Sequence, residues 1–281
     1  MTSQPVAPHD IKGVAYDGGV STSVAFQRQL SAAVRSALRP ASYLGLAREL
    51  LLTSVHAATY PLGLLPPAPF SAEPLDPSLP RRPVLLVHGW VHNRSAFLMM
   101  QRGLRRAGLG PLHTFEYPSV TGDLSRIGHE LAPVVEQLVG RSREDKCILI
   151  GHSMGGLIAR RYVQDLGGDQ LVDTVVTLGT PHRGTYNAYW GVGLAIEQCR
   201  PGSAFLRHLD ETARPGLARW IAYYSDLDLM VTPAVSAKLL HPALDATNVR
   251  VRDIGHLSLL LSRSVLADLI QRLEQVERQQ H

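Results

Sequence analysis

The sequence predicts an α/β fold, with a mostly parallel central sheet flanked by helices. From Arg82 onward, short apolar segments alternate with segments that have helical length and helical spacing of apolar residues. The apolar segments are hydrophobic throughout, which is typical of strands buried on both faces of a parallel sheet. Hydrophobic residues make up 45% of the 281 residues, so the chain can bury a large core.

The first 80 residues predict a helical extension followed by a connector. Apolar residues recur at helical spacing from Leu30 to Leu38, and again from Leu44 to about Pro61. Residues 66–80 are rich in proline, which favours an extended, semi-rigid connector over a packed element. We therefore predict an N-terminal extension at residues 1–80 and a main α/β domain at residues 81–281.

The main domain is predicted to contain six strands separated by helices. The strands are expected at residues 83–89, 112–119, 147–153, 171–180, 219–225 and 247–254. Helices are expected near 96–107, at 124–139 and at 154–166, where Gly167 and Gly168 provide a C-terminal cap. One long amphipathic helix is expected to follow the last strand, at residues 258–276.

Composition and charge exclude several other classes of protein. The net charge of +4 and the isoelectric point near 9.2 are only mildly basic, and the arginines occur in pairs such as Arg105-Arg106. We therefore expect no nucleic-acid binding. Cys147 and Cys199 are too few for a disulfide framework, and no CxxC pair occurs, so we expect neither a metal nor another cofactor. Cys147 opens an apolar segment and is expected to be buried and unreactive.

The N-terminal sequence favours a cytoplasmic protein without a transmembrane helix. The first 25 residues lack the basic start and apolar run of a signal peptide. Leu50 to Ala72 is uncharged and as long as a membrane span, but its prolines would break a spanning helix. The apolar helices within residues 1–65 could instead dock on a membrane or pair between protomers, whereas packing on the main domain is the default expectation. The sequence predicts no particular oligomeric state.

A short motif between a strand and a helix predicts a nucleophilic serine. The residues from Gly151 to Gly155, GHSMG, match G-x-S-x-G and lie between the apolar segment CILI and a predicted helix. This is the context of a nucleophile elbow, in which a strained turn exposes the serine hydroxyl of Ser153 above the sheet edge. Only small residues fit beside such a turn, and Gly151, Gly155 and Gly156 provide them. The alternative is an ordinary glycine-rich strand-to-helix loop.

Two backbone N–H groups are predicted to form an oxyanion hole. Met154 directly follows the serine and lies at a helix N-terminus, so its N–H can donate to a developing negative charge. The second donor is expected in the loop after the first strand of the main domain, where Trp90 follows Gly89. His88 precedes the serine in the chain, which is the wrong order for a base in this arrangement, and is expected to have a structural hydrogen-bonding role.

The base and the acid should follow the serine in the order acid, then histidine. His256 lies in a short loop after the last strand and is the preferred base, with His182 as the competitor because it also follows a strand. Asp226 and Asp228 both lie in the loop after the fifth strand, and spacing alone does not separate them. Either carboxylate could orient the histidine and stabilise its protonated form.

Several motifs taken together resemble the bacterial lipases and esterases of the α/β-hydrolase superfamily. HGW, GHSMGG, TLGTPHRGT, SDLDLMVTP and GHLSLL occur in that order across about residues 82–262, and the likeness is to the small lipases with little or no lid. The resemblance implies an α/β-hydrolase fold. It also places Asp228 in the acid position of an S-x-x-D-x-[IVLM]-V setting and supports Trp90 and Met154 as oxyanion donors. Residues 1–80 have no counterpart in the small lipases.

A short cap is expected at about residues 185–217, between the fourth and fifth strands. This segment contains several aromatic and aliphatic residues, and Gly191 and Gly193 could act as hinges. An apolar, mobile entrance would suit an acyl chain. A helix that simply packs on the sheet is the equal alternative.

The function implied by these residues is hydrolysis of an ester substrate that carries an acyl chain. The catalytic residues would be Ser153, Asp228 and His256, acting through an acyl-enzyme. A thioesterase or an acyltransferase could use the same triad, because only the acyl donor or acceptor differs. A protein that uses the fold for binding without catalysis is the alternative from another class.

Overall fold

The computed structural model describes residues 40–65 and 82–278, which contain one sheet of six strands. In chain order the strands are β1 (Val84–Val87), β2 (Leu112–Phe115), β3 (Cys147–His152), β4 (Val172–Leu178), β5 (Arg219–Ser225) and β6 (Ala246–Val251). They are arranged in the order β2-β1-β3-β4-β5-β6, and every neighbouring pair is parallel. The predicted parallel sheet is therefore confirmed.

The central strands are buried on both faces, which explains their uninterrupted hydrophobicity. Successive side chains of a strand point to opposite faces. Accordingly Leu85 and Val87 belong to one hydrophobic cluster, while Val84 and Leu86 belong to the other. Every residue of β3 and β4 is buried as well. The sheet thus separates two cores, each covered by helices.

Helices cover both faces of the sheet. In the main domain they are α2 (Leu98–Arg106), α3 (Leu124–Gly140), α4 (Met154–Asp165), α5 (Leu194–Glu197), α6 (Ala204–Glu211), α7 (Ser258–Leu261) and α8 (Arg263–Arg278). Apolar residues of α3, α4 and α6 pack in the cluster that contains Leu85, whereas those of α2 and α8 pack in the cluster that contains Val84. All the carboxyl ends of the parallel strands meet at one edge, where loops can bring distant residues together.

A further helix, α1 (Pro40–Thr59), precedes the main domain and continues as a 3-10 turn at Tyr60–Leu64. It corresponds to the second helical pattern of the extension. The first pattern, at residues 30–38, and the proline-rich connector at 66–80 lie outside the described residues. Within residues 40–65 and 82–278, no helix combines the length and hydropathy needed to span a bilayer.

The prediction of a single helix at residues 258–276 is wrong. The chain instead forms α7 and α8, which are separated at Ser262, where the backbone is extended (φ −75°, ψ 124°). The side chain of Ser262 accepts a hydrogen bond from the N–H of Val265 at 3.5 Å, so this serine caps the start of α8. The apolar spacing continues across the break, and periodicity alone therefore does not reveal it.

Candidate active site

Ser153 occupies a strained turn between β3 and α4. Its backbone has φ 55° and ψ −126°, a conformation that non-glycine residues rarely adopt. A Cβ atom built on Gly155 would overlap the backbone carbonyl oxygens of Val87 and His88, so a larger residue could not fit there. The predicted elbow geometry is present, and the strain is maintained by close backbone packing against β1.

The loop after β1 lies directly beside this turn. A Cβ atom on Gly89 would come within 2.8 Å of the Cβ of Ser153, which shows how closely the two backbones approach. Trp90, Ser153 and Met154 line the same cavity. The N–H of Met154 belongs to the first turn of α4, where N–H groups have no carbonyl partner within the helix. The two residues predicted to provide the oxyanion donors thus lie at the same cavity as the serine.

His256 and Asp228 form a buried pair at the carboxyl edge of the sheet. The Nδ1 of His256 lies 2.7 Å from Oδ2 of Asp228, and both side chains are almost fully buried. The other carboxylate oxygen of Asp228 accepts hydrogen bonds from the N–H groups of Met230 and Val231, both at 2.8 Å. These bonds fix the carboxylate. An Nδ1–H that donates to Asp228 leaves Nε2 as the nitrogen that can accept a proton.

The competing candidates have other partners. Asp226 forms an ion pair with Arg250 at 2.9 Å and accepts a hydrogen bond from the N–H of Asp253. The Nε2 of His182 lies 3.0 Å from the hydroxyl of Thr177, and this buried ring does not line the cavity. The structure therefore brings Asp228, and neither of these two residues, to His256.

His88 has structural contacts beneath the loop that carries Trp90. Its Nδ1 lies 3.0 Å from the carbonyl oxygen of Gly89, and its ring stacks on Tyr117 with centroids 4.3 Å apart. The hydroxyl of Tyr117 donates to the backbone carbonyl of His88. These contacts fit the structural role expected for His88.

Opposing influences act on the pKa of His256, and the net shift is upward. Burial lowers the pKa, because the charged ring loses hydration. The charge of Asp228 and the hydrogen bond to it raise the pKa, and the charge of Glu49 raises it further. The surroundings of His256 therefore stabilise its protonated form.

A cavity of about 260 Å³ opens beside Ser153 and His256. Most of the residues that line it are apolar: Trp90, Met154, Pro181, Ala188, Ile196, Leu227, Leu229, Met230, Val231 and Leu257. Pockets that bind small organic molecules combine such walls with a few polar groups that fix orientation. The arrangement suits a ligand with an apolar chain attached to a polar reactive group.

The segment between β4 and β5 forms a small helical layer over this edge of the sheet. It contains a 3-10 turn at Tyr186–Tyr189 and the helices α5 and α6. Its outer tip is exposed and apolar, with Trp190 88% exposed and Val192 77% exposed. Its base is attached to the core through the buried guanidinium of Arg160 on α4, which binds the carboxylate of Asp210 at 2.8 Å and the carbonyl oxygen of Leu209 at 3.1 Å.

Sequence reasoning missed two groups at the site. A row of imidazole rings leads away from His256: its centroid lies 4.7 Å from that of His152, His152 lies 5.5 Å from His92, and His92 lies 4.5 Å from His56. Glu49 of α1 also lines the cavity. The motif GHSMGG contains His152 and could have indicated this residue, whereas nothing in the sequence of α1 distinguishes Glu49. Among the described residues no group of three or more His, Cys, Asp or Glu side chains is arranged to hold a metal ion.

We expect the buried histidines to make the fold unstable in mild acid. Burial lowers the pKa of His88 to about 4 and lowers those of His92, His152 and His182 well below 6.5. The unfolded chain therefore binds more protons below about pH 6.5, and each such histidine costs about 1.4 kcal/mol per pH unit in that range. Glu116, whose pKa is raised to about 7 by burial, and His256, whose pKa is also raised, oppose the effect, but they are two groups against four.

Calorimetry at pH 7.5 and pH 5.5 measures this effect as a change in the unfolding temperature. A loss of a few kcal/mol corresponds to a decrease of about 10 °C for a chain of this size. The variant His182→Asn should weaken the pH dependence, whereas His129→Asn, which changes an exposed histidine on α3, should leave it intact. An unfolding temperature that stays constant or rises toward pH 5.5 would contradict the prediction.

Comparisons with known proteins agree with the observed fold. The model of the alpha/beta hydrolase family matches residues 84–275. A triacylglycerol lipase of Pseudarthrobacter phenanthrenivorans is 47% identical over 58 residues, which is 21% of this chain and 18% of the lipase. The lysosomal thioesterase PPT2-B of Xenopus laevis is 24% identical over 131 residues, 45% of this chain and 44% of the thioesterase. The matched stretches thus span less than half of these relatives.

A solved structure shares the fold over most of its own length. The mature lipase BlEst2 of Bacillus licheniformis aligns with a TM-score of 0.60 at 19% identity, covering 72% of this chain and 96% of that chain. At this level of identity the likeness concerns the fold.

Proposed function

Because the chain belongs to the alpha/beta hydrolase family, we propose that it is a serine hydrolase that cleaves carboxylic esters. The observation that carries this proposal is the hydrogen-bonded pair of His256 and Asp228 beside the strained turn of Ser153. The names of the triacylglycerol lipase and of the BlEst2 lipase support the same class of reaction. The match to the family begins at residue 84, which supports a catalytic domain at residues 81–281.

The proposed reaction begins with an attack of the Ser153 Oγ on the acyl carbonyl carbon. The serine proton passes to Nε2 of His256, and Asp228 stabilises the imidazolium that forms. The carbonyl oxygen becomes an oxyanion, which accepts hydrogen bonds from the backbone N–H groups of Trp90 and Met154. The tetrahedral intermediate then collapses: the bond to the alcohol oxygen breaks, and His256 returns the proton to that oxygen.

The acyl group is then bonded to Ser153, and water completes the cycle. His256 takes a proton from the water, whose oxygen attacks the acyl carbon. Collapse of the second intermediate breaks the bond to Oγ, which recovers its proton from His256. The carboxylic acid leaves, and the site is restored without any net change in the protein.

The cavity walls support oxygen esters of apolar acids as substrates. None of the described residues that line the cavity is Lys or Arg, and Glu49 adds a carboxylate. Such walls disfavour a leaving group that carries phosphates, as in an acyl-CoA thioester. The apolar lining, by contrast, favours an acyl chain. A thioesterase acting on uncharged thioesters is the second candidate, because one relative is named a thioesterase.

A chain-length series of p-nitrophenyl esters tests the proposal. Each buried methylene contributes about 0.8 kcal/mol, so kcat/KM should rise about fourfold per methylene until the chain exceeds the cavity. Matched thioesters with an uncharged leaving group, such as S-phenyl thioesters, are the control and should react more slowly at every length. Equal rates for all chain lengths would argue against an acyl chain in this cavity, and faster thioester cleavage would favour the second candidate.

A further inference from the structure

Glu49 of α1 binds the loop that carries His256. Its Oε1 accepts a hydrogen bond from the N–H of Leu257 at 2.7 Å, and its Oε2 accepts one from the N–H of Ser258 at 3.0 Å. The hydroxyl of Ser258 also donates to Oε2. Three donors from the two residues that directly follow His256 thus meet one carboxylate, which is separated from them by more than 200 positions in the chain.

The fit around this carboxylate is close. A Cβ atom built on Gly255, the residue before His256, would overlap the carboxyl group of Glu49. A larger residue at position 255 would therefore displace it. Glu49 consequently contacts the chain on both sides of His256, while its other neighbours along α1, such as Arg48 and Leu50, are exposed.

The same helical segment also contacts the loop that carries Trp90. The backbone carbonyl of Tyr60, in the 3-10 turn after α1, accepts a hydrogen bond from the side-chain amide of Asn93 at 3.0 Å. Arg94 donates to the carbonyl oxygen of Leu62 at 3.4 Å. The segment 40–65 therefore bridges the two loops that flank Ser153, and Glu49 provides its charged contact with one of them.

We infer that Glu49 is a positioning residue for His256, which makes α1 an integral part of the active site. This inference rests on the proposed function. The carboxylate holds the backbone at Leu257 and Ser258 and thereby fixes the point from which the imidazole projects toward Ser153. It also adds negative charge near the imidazolium that forms during each proton transfer.

The charged and titratable groups that face His256 come from four elements. Asp228 follows β5 and binds the ring, His152 ends β3, His92 lies in the loop after β1, and Glu49 projects from α1. Of the two carboxylates, Asp228 acts through a direct hydrogen bond, whereas Glu49 acts through its charge and through the loop. Removing the charge of Glu49 should therefore lower the pKa of His256 and leave its hydrogen bond to Asp228 intact.

The test is the variant Glu49→Gln in the full chain, which keeps the shape of the side chain but removes its charge. The amide that replaces the carboxylate also has an N–H donor, which would face the backbone N–H donors of Leu257 and Ser258. A small displacement of a catalytic base costs about tenfold to a hundredfold in rate, so we expect a decrease of that size in kcat with KM changed less than about twofold. The acidic limb of the kcat/KM profile should move to lower pH, because it reports the protonation of His256 in the unliganded enzyme.

Two further variants are matched controls. Arg48→Gln changes an exposed charge on the same helix and should preserve kcat. Ser258→Ala removes one of the three hydrogen bonds but keeps the carboxylate, so we expect a smaller decrease in kcat and an unshifted acidic limb. Wild-type kcat and an unshifted limb in folded Glu49→Gln would overturn the inference, as would a limb that moves equally in Ser258→Ala.

If Glu49→Gln does not fold, Glu49→Asp decides the question. It keeps the charge, but its shorter side chain cannot reach both backbone N–H groups, so kcat should decrease while the acidic limb stays in place. An unchanged kcat in Glu49→Asp would overturn the inference. The proposed function fails separately, because in that case the wild-type protein itself would not hydrolyse esters.

Discussion

The variant Ser153→Ala is expected to lose ester hydrolysis by roughly five orders of magnitude in kcat, because it removes the hydroxyl on which the proposed acyl-enzyme forms. The methyl group of alanine leaves the cavity, the His256–Asp228 pair and the backbone donors in place. What remains should be the weak rate enhancement that binding and oxyanion stabilisation give without a nucleophile. The substitution should not relieve the backbone strain at residue 153, because alanine disfavours a positive φ as serine does.

Hydrolysis of p-nitrophenyl esters and covalent labelling by a fluorophosphonate measure this loss independently. Labelling requires the same activated hydroxyl but no turnover, and it should disappear in Ser153→Ala. Ser264→Ala is the matched control, because it changes an exposed serine at the start of α8 whose hydroxyl contacts Ser262 and does not line the cavity. Circular dichroism and the unfolding temperature verify the fold of each variant. Undiminished turnover or labelling in folded Ser153→Ala would refute the assignment of the nucleophile.

The second large effect is expected for Asp228→Asn, which should lower kcat by about four orders of magnitude near neutral pH. An asparagine amide at this position donates to Nδ1 of His256 instead of accepting from it. The proton then resides on Nε2, and the ring can no longer accept the proton of Ser153. Binding of the acyl chain does not depend on this exchange, so KM should change much less than kcat.

Asp226→Asn is the matched control, since the same substitution is made two residues earlier in the same loop. It weakens the ion pair with Arg250. Because the side chain of Arg250 is about half exposed, this ion pair contributes at most about 1 kcal/mol to the free energy of unfolding. We expect kcat to stay within about threefold of the wild type. Comparable losses in the two variants, or the larger loss in Asp226→Asn, would reassign the acid.

The sheet and the elbow could be predicted from sequence because their signals are local. Buried parallel strands leave apolar runs, and the turn at Ser153 admits only small neighbours, which appear as glycines. Strand ends were predicted less well: β2 ends at Phe115, four residues before the expected end at 119. Ends depend on pairing with a neighbouring strand, and β2 lies at the edge of the sheet with only β1 as its partner.

The choice between Asp226 and Asp228 was not decided by spacing. Both residues occupy one turn, and the difference between them arises from which side of the turn faces His256. Only the folded turn, in which Met230 and Val231 donate to the carboxylate of Asp228, gives that orientation. The resemblance to known lipases favoured the same residue, but it did so through a shared motif and not through a physical derivation.

The position of α1 could not be predicted because it depends on contacts between distant parts of the chain. The helical spacing of apolar residues predicts a helix, yet many of its large side chains, including Leu44, Leu50 and Leu51, are exposed. Its attachment to the main domain instead involves polar contacts at single positions, chiefly Glu49. A lone glutamate in an apolar helix carries no signal that distinguishes a buried hydrogen-bonding role from a solvated one.

The buried guanidinium of Arg160 limits how the entrance to the cavity can change shape. Arg160 lies on α4, which starts directly after Ser153, and it binds Leu209 and Asp210 of α6 at the base of the covering layer. Moving that layer outward would break the bonds of this buried cation to Leu209 and Asp210, which is energetically costly. We therefore expect the layer to stay attached at α6, and any widening of the cavity entrance to occur at the exposed tip formed by Trp190 and Val192.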